Sequence, residues 1–177
     1  FQRHPGQSQR TLDTHGVYDV VRTLSTLVYK NCMSSSERFG YEWNKYNALL
    51  PQYEEQFLKW VYPLTSADFK GKTILDAGCG MGRNSYWCLK YGATKIHSFD
   101  FDERSVRAAK QTLQDFPNSE VRFADIYTYD SSERFDIIMS IGVIHHLADP
   151  HQALANLSRL LKPGGKLLVW VYGYEGN

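Results

Sequence analysis

The chain has 177 residues, 42% hydrophobic and 22% charged, with 20 Lys+Arg against 19 Asp+Glu and a formal net charge of +1. That is enough apolar sequence for one sizeable packed domain, and the charge balance excludes a general electrostatic pull toward nucleic acid or an anionic membrane. No apolar run approaches the roughly 20 residues of a membrane span.

The three cysteines, Cys32, Cys79 and Cys88, form no CxxC pair. Neither a disulfide framework nor a metal site is indicated, and reduced thiols point to a cytoplasmic protein. The first residue is Phe1, not Met, which points to a trimmed N-terminus.

Along the chain, residues 1–10 read as a polar arm. Val17, Val20, Val21, Leu24, Leu27 and Val28 follow helical spacing, with Asp13 or Thr14 as cap. Phe39–Tyr46 ("FGYEWNKY") is aromatic and polar at once. Pro51 opens a second helix that buries Phe57, Trp60 and Val61 and stops near Pro63. From Thr73 the pattern becomes strand and helix in alternation. "TILDA", "KIHSFD", "EVRFAD", "FDIIMSIG" and "KLLVWVYG" read as strands. Gly82–Tyr91, Glu103–Phe116 and Asp149–Leu161 read as helices, and "KPGG" reads as the turn before the last strand. The apolar run at Phe135–Gly142 suits a strand covered on both faces. Five strands with right-handed crossovers predict an α/β, Rossmann-like open parallel sheet in the order 3-2-1-4-5. The expected division is a helical extension or lid over 1–66 and a core over 67–177.

In such a sheet a ligand lies beyond the carboxyl ends of the strands, where strand order reverses. "LDAGCGMGRN" (Leu75–Asn84) falls there. Gly78, Gly80 and Gly82 permit positive φ and leave no Cβ between the main chain and a neighbour. The spacing is GxGxG, not the GxGxxG of a dinucleotide fingerprint, and no Gly-Lys-Ser/Thr ending marks a phosphate loop. Two readings remain at this point: a ligand lying on the backbone, or a tight strand-to-helix turn without one.

The stretch resembles the first motif of class I S-adenosylmethionine-dependent methyltransferases, "LDxGCGxG". Phe135–Trp170 is similar to the corresponding region of their UbiE-like, small-molecule branch. Together these matches cover about 72–172. The resemblance implies S-adenosylmethionine as cofactor, with contacts from Asp76, Gly78, Cys79, Gly80, Gly82, Arg83, Asn84, Asp100, Phe101, Asp125, Ile126 and Ser140. Asp100, twenty residues beyond Gly80, is expected to accept from the ribose hydroxyls, while Asp102 caps the next helix. Phe101 packs on adenine, Asp125 accepts from the adenine amino group, and the Ile126 main chain reads the ring edge. The methionine carboxylate is expected at Arg83 or a helix N–H, and its ammonium near Asp76, Gly78 or Ser140. Asp76 alternatively braces the loop. His145 or His146 after the fourth strand is a candidate general base, His145 being the one preferred, and the alternative is structural hydrogen bonding. Cys79 is a small filler, not a nucleophile.

The implied activity is methyl transfer to an oxygen, nitrogen or carbon of a small-molecule or glycan-like acceptor. Nucleic acid is not indicated as a substrate. A non-catalytic binding module of the same fold is the alternative. Relatives continue past the fifth strand with a helix and two strands, whereas this chain stops after "VYGYEGN". It is therefore expected to be a fragment lacking the final two strands, with an open fifth-strand edge through which copies can associate.

Overall fold

A computed structural model describes residues 51–172. The expected helix at Val17–Val28 and the stretch Phe39–Tyr46 lie outside the described residues.

Helix α1 (Pro51–Trp60) leads through a 3-10 turn (Ser66–Phe69) into strand β1 (Thr73–Ala77). Helix α2 (Arg83–Lys90), β2 (Lys95–Asp100), helix α3 (Glu103–Thr112), β3 (Ser119–Phe123) and β4 (Phe135–Ile141) follow. A second 3-10 turn (Ile144–His146), helix α4 (Pro150–Ser158) and β5 (Leu161–Trp170) complete the described fold. The sheet runs β3-β2-β1-β4-β5, and every pair is parallel, as the sequence predicts. Strand order reverses between β1 and β4. That reversal opens a crevice beyond the ends of β1, β2 and β4.

Alternation along the strands separates the two faces. Ile74, Ile96, Ile137 and Met139 pack with Phe57, Val61, Trp87, Cys88 and Leu113 in one cluster. α1 and α2 supply its outer layer, and each large side chain fully buried there contributes about 1.5–3 kcal/mol. Leu75, His97, Phe99 and Ile138, one residue out of step, are also buried. There Phe99 stacks on Tyr129 with ring centroids 4.3 Å apart.

The helix caps follow the sequence. Asp102 accepts from the Arg104 N–H at 3.3 Å, and Asp149 accepts from the Gln152 N–H at 3.0 Å with Pro150 next in the chain. Two boundaries differ from expectation. α3 ends at Thr112, because Leu113 turns inward to 1% exposure and the segment to Phe116 closes in turns. The "KPGG" stretch is not a turn before β5 but an irregularity inside it. Pairing passes from Phe135–Leu161 to Ile137–Lys166, so the extra residues bulge out of register. A Cβ on Gly165 would stand 2.9 Å from the Phe135 carbonyl oxygen, so only glycine fits there without a shift.

Candidate active site

β1 ends in Asp76 and Ala77, and the chain then turns through three residues of positive φ: Gly78 (79°), Gly80 (54°) and Gly82 (80°). Two of the three are held close by protein. A Cβ on Gly78 would lie 2.5 Å from Val143 Cγ2, and one on Gly82 would lie 3.1 Å from the Ala109 Cβ of α3. Glycine at 78 and 82 therefore answers to a left-handed backbone and to neighbouring side chains. A ligand is not needed to explain those two positions.

The loop is fastened to β2. Gly78 N–H and Cys79 N–H donate to the Phe99 carbonyl, at 2.9 and 3.0 Å. Gly80 N–H donates to Asp100 Oδ2 at 2.9 Å, and Asp102 N–H donates to Oδ1 at 2.9 Å. Each Asp100 oxygen thus has one N–H donor and keeps acceptor capacity for another. Burial raises the Asp100 carboxyl above the ordinary carboxylate range, and these two N–H groups oppose the shift.

A cavity of about 520 Å³ lies over this junction. Of the expected contacts, Gly78, Cys79, Gly80, Arg83, Asn84, Asp100, Phe101, Asp125 and Ile126 line it. Phe101 is 67% exposed and stacks on Phe123 at 5.6 Å, so one aromatic face is available beside the Asp100 carboxylate. Asp125 Oδ1 accepts from the Tyr127 N–H at 2.8 Å, a local cap of its loop. The Ile126 carbonyl accepts from Asn156 Nδ2 at 2.8 Å. Arg83 stands under the Tyr53 ring of α1, its guanidinium carbon 4.1 Å from the centroid.

Asp76, Gly82, Ser140 and His145 are not on the cavity wall. Asp76 is 1% exposed, and its Oδ2 accepts from Ser85 Oγ of α2 at 2.6 Å. Ser85 Oγ is also 2.9 Å from Ser98 Oγ of β2. The carboxylate therefore braces β1, α2 and β2 from below, and burial raises its pKa to about 6. The Ser140 hydroxyl donates to the Ala77 carbonyl at 3.2 Å and stitches β4 to β1.

At the pair of histidines, His146 lines the cavity and His145 turns away. The His145 ring packs at 3.9 Å on His146 and edge-on at 5.0 Å against Tyr172. Both its nitrogens are buried without a hydrogen-bond partner among the described residues. Burial, with His146 beside it, lowers its pKa to about 4. Burial also lowers the pKa of His146, so its imidazole is neutral near pH 7. Cys79 is buried and its thiol is pushed up by burial, which suits packing and not nucleophilic attack.

Several wall residues had no functional reading in the sequence. Trp60, expected as core, faces the cavity together with Trp170 and Tyr172. Asn156, behind the wall, was also without a functional reading. It is 8% exposed on α4, and its amide donates to the carbonyls of Ile126 and Tyr129 at 2.8 and 3.0 Å while its oxygen accepts from Arg159 Nε at 2.7 Å. A polar residue on the apolar face of "ALANLS" was the signal that could have found it.

These groups suit a nucleoside ligand. A carboxylate keeps acceptor capacity for sugar hydroxyls, a flat ring beside it can meet a base, and a wall of main chain allows close approach.

The methyltransferase-domain family matches residues 75–167. A ubiquinone biosynthesis O-methyltransferase of Coxiella burnetii is 32% identical over 128 residues, covering 71% of this chain and 54% of that protein. Phosphoethanolamine N-methyltransferase 2 of Caenorhabditis elegans is 29% identical over 161 residues, covering 88% of this chain and 36% of that protein. The chain thus spans about half, or less, of the length of these curated relatives. Two solved structures share the fold. One is a methyltransferase from Thiobacillus denitrificans in complex with S-adenosyl-L-homocysteine, with TM-score 0.59, 15% identity, and 78% and 56% of the two chains covered. The other is the N-methyltransferase NodS from Bradyrhizobium japonicum, also with S-adenosyl-L-homocysteine, with TM-score 0.57, 20% identity, and 83% and 70% covered.

Proposed function

The chain belongs to the methyltransferase-domain family, among the class I S-adenosylmethionine-dependent methyltransferases, and from that premise we propose that its protein methylates an oxygen, nitrogen or carbon of a small-molecule acceptor. The observation that carries this reading is the Gly80–Asp100 junction under the cavity, where a carboxylate with acceptor capacity meets bare main chain.

S-adenosylmethionine, when bound, supplies a methyl carbon already activated by a positively charged sulfur. Asp100 would accept from its ribose hydroxyls, and Phe101 would cover one face of the adenine. Asp125 would accept from the exocyclic amine, and the Ile126 N–H would meet the ring edge. Arg83 would hold the methionine carboxylate, with Cys79 and Asn84 completing the loop wall. Asp76 and Ser140 act through the backbone they brace and not by touching the cofactor. Where the acceptor carries an O–H or N–H, its proton passes to the neutral imidazole of His146. Of the two candidate histidines His146, not the preferred His145, takes this role, because it alone of the two lines the cavity. Holding nucleophile and methyl in line can supply up to about 7–11 kcal/mol of barrier reduction. Residues from Pro51 to 66, the described part of the expected extension, close one side of the cavity through Trp60.

Calorimetry with S-adenosyl-L-homocysteine and with NAD tests the cofactor assignment. Saturable binding of the first and none of the second is expected. The reverse would overturn it. Formation of S-adenosyl-L-homocysteine from S-adenosylmethionine with candidate acceptors then distinguishes an enzyme from a binding module.

A further inference from the structure

Arg83 reaches the cavity from the first position of α2, directly after Gly82. The glycine loop fixes its backbone, but a long stem separates that backbone from its charge. A side chain pinned only when a ligand arrives gives up rotamer freedom at that moment, which weakens binding. Here a pinning contact is already made. The guanidinium carbon lies 4.1 Å from the centroid of the Tyr53 ring, inside the roughly 6 Å over which a ring face attracts a cation. A neutral ring fixes the guanidinium without neutralising it, so the charge stays available to an incoming anion. Burial lowers the Arg83 pKa, and Tyr53 is the largest influence opposing that shift.

Tyr53 is itself held in place. Its neighbour Glu54 accepts from the hydroxyl of Tyr91, the residue that ends α2, at 2.8 Å. One turn further along α1, Phe57 is 1% exposed and packs its ring against Tyr91 at 6.3 Å and Phe69 at 5.6 Å. These contacts lock α1 to the far end of α2, and the lock sets where Tyr53 meets Arg83. Arg83 lines the cavity and Tyr53 does not, so the ring acts on a ligand there through Arg83. Resting on the methyl-transfer reading above, we infer that Tyr53 is a positioning residue for cofactor recognition: its ring holds the Arg83 guanidinium ready for the carboxylate at the amino-acid end of S-adenosylmethionine. Deleting the ring then costs affinity for ligands that carry this carboxylate and spares affinity for the bare nucleoside thioether.

The test is calorimetric and needs no turnover. Two ligands are titrated into the chain: S-adenosyl-L-homocysteine, and 5′-methylthioadenosine, which keeps the nucleoside and the sulfur but ends in a methyl group without a carboxylate. The unmodified chain is expected to prefer the first by at least about tenfold. Tyr53→Leu is expected to weaken S-adenosyl-L-homocysteine by at least about fivefold and to leave 5′-methylthioadenosine within about twofold, while Tyr53→Phe, which keeps the ring, leaves both within about twofold. Arg83→Met is expected to remove most of the preference, and adding Tyr53→Leu to it should change S-adenosyl-L-homocysteine affinity by less than about twofold. If Tyr53→Leu fails to fold by circular dichroism, pentafluorophenylalanine at position 53, close to phenylalanine in shape but with the ring's charge distribution reversed, gives the same readout. An equal loss of both ligands, a loss in Tyr53→Phe as large as in Tyr53→Leu, or the full Tyr53→Leu loss persisting beside Arg83→Met would each overturn the inference. So would an unmodified chain that binds both ligands equally well. Failure of the unmodified chain to bind either ligand would sink the methyl-transfer reading on which the inference rests.

Discussion

The Gly80 N–H donates to Asp100 Oδ2 at 2.9 Å, so the loop after β1 and the end of β2 are one rigid corner. Removing the carboxylate takes away the loop's anchor and the acceptor proposed for the sugar together. Asp100→Ala is expected to weaken S-adenosyl-L-homocysteine binding by about 1.5–3 kcal/mol, the range for hydrogen bonds to a charged group. Asp100→Asn should fall between, since an amide offers one acceptor oxygen where the carboxylate offers two. Unchanged affinity in a folded alanine variant, measured by calorimetry, would remove Asp100 from the site.

Gly78→Ala meets two separate obstacles. Its φ of 79° strains any residue with a Cβ, by about 1–2 kcal/mol. The new methyl would also stand 2.5 Å from Val143 Cγ2, an overpacking that costs about 1–3 kcal/mol. Val143→Ala in the same chain should relieve the second obstacle and leave the first. A double-mutant cycle in urea isolates the two, and strict additivity would mean that Val143 is not the clashing partner.

Asp76 and His145 should drive the pH dependence of stability in opposite directions. Asp76 titrates at about 6 in the fold against an ordinary 3.8, so the native chain binds its proton more tightly. Its contribution is present below about pH 4 and is lost as pH rises through about 6. His145 titrates at about 4 against an ordinary 6.5, so its contribution is present above pH 6.5 and is lost as pH falls toward 4. Each difference corresponds to about 3 kcal/mol, and the two offset each other over the same interval. Relative to wild type, Asp76→Asn should make stability rise more steeply with pH between about 4 and 6, and His145→Gln should make it fall. Urea unfolding at several pH values checks this, and slopes displaced in the same direction for both variants would contradict it.

If His146 accepts the acceptor's proton, His146→Ala should lower kcat/KM by about 100-fold or more. The acidic limb of its pH profile should disappear, while S-adenosyl-L-homocysteine affinity stays the same. The limb should lie below the ordinary histidine value, because burial lowers the His146 pKa. His145→Ala should retain the limb. A profile unchanged in His146→Ala would show that this imidazole does not carry the proton.

The sheet order and the glycine loop were legible because they are local. Gly78, Gly80 and Gly82, the acid at the end of β2, and the apolar run at Phe135–Ile141 each mark a position in a known crossover pattern. The purposes of individual glycines were not legible. Gly78 answers to Val143, 65 positions away in sequence, and Gly82 answers to α3; such partners exist only once the chain has folded. The histidine pair shows the same limit. Adjacent residues in a 3-10 turn point different ways, and sequence could not say which ring would meet the cavity. Trp60 and Trp170 have strong apolar character in sequence, but only their meeting across α1 and β5 makes them a wall.

Asn156 fixes the side of the cavity lined by Asp125 and Ile126. One amide from α4 rivets two carbonyls of the β3–β4 connection, 30 and 27 positions upstream, and is itself pinned by Arg159. A hollow already set before anything arrives loses little motional freedom on filling, so more of the contact energy appears as affinity. Loosening that rivet should show itself as a faster escape of the guest with its rate of arrival little altered.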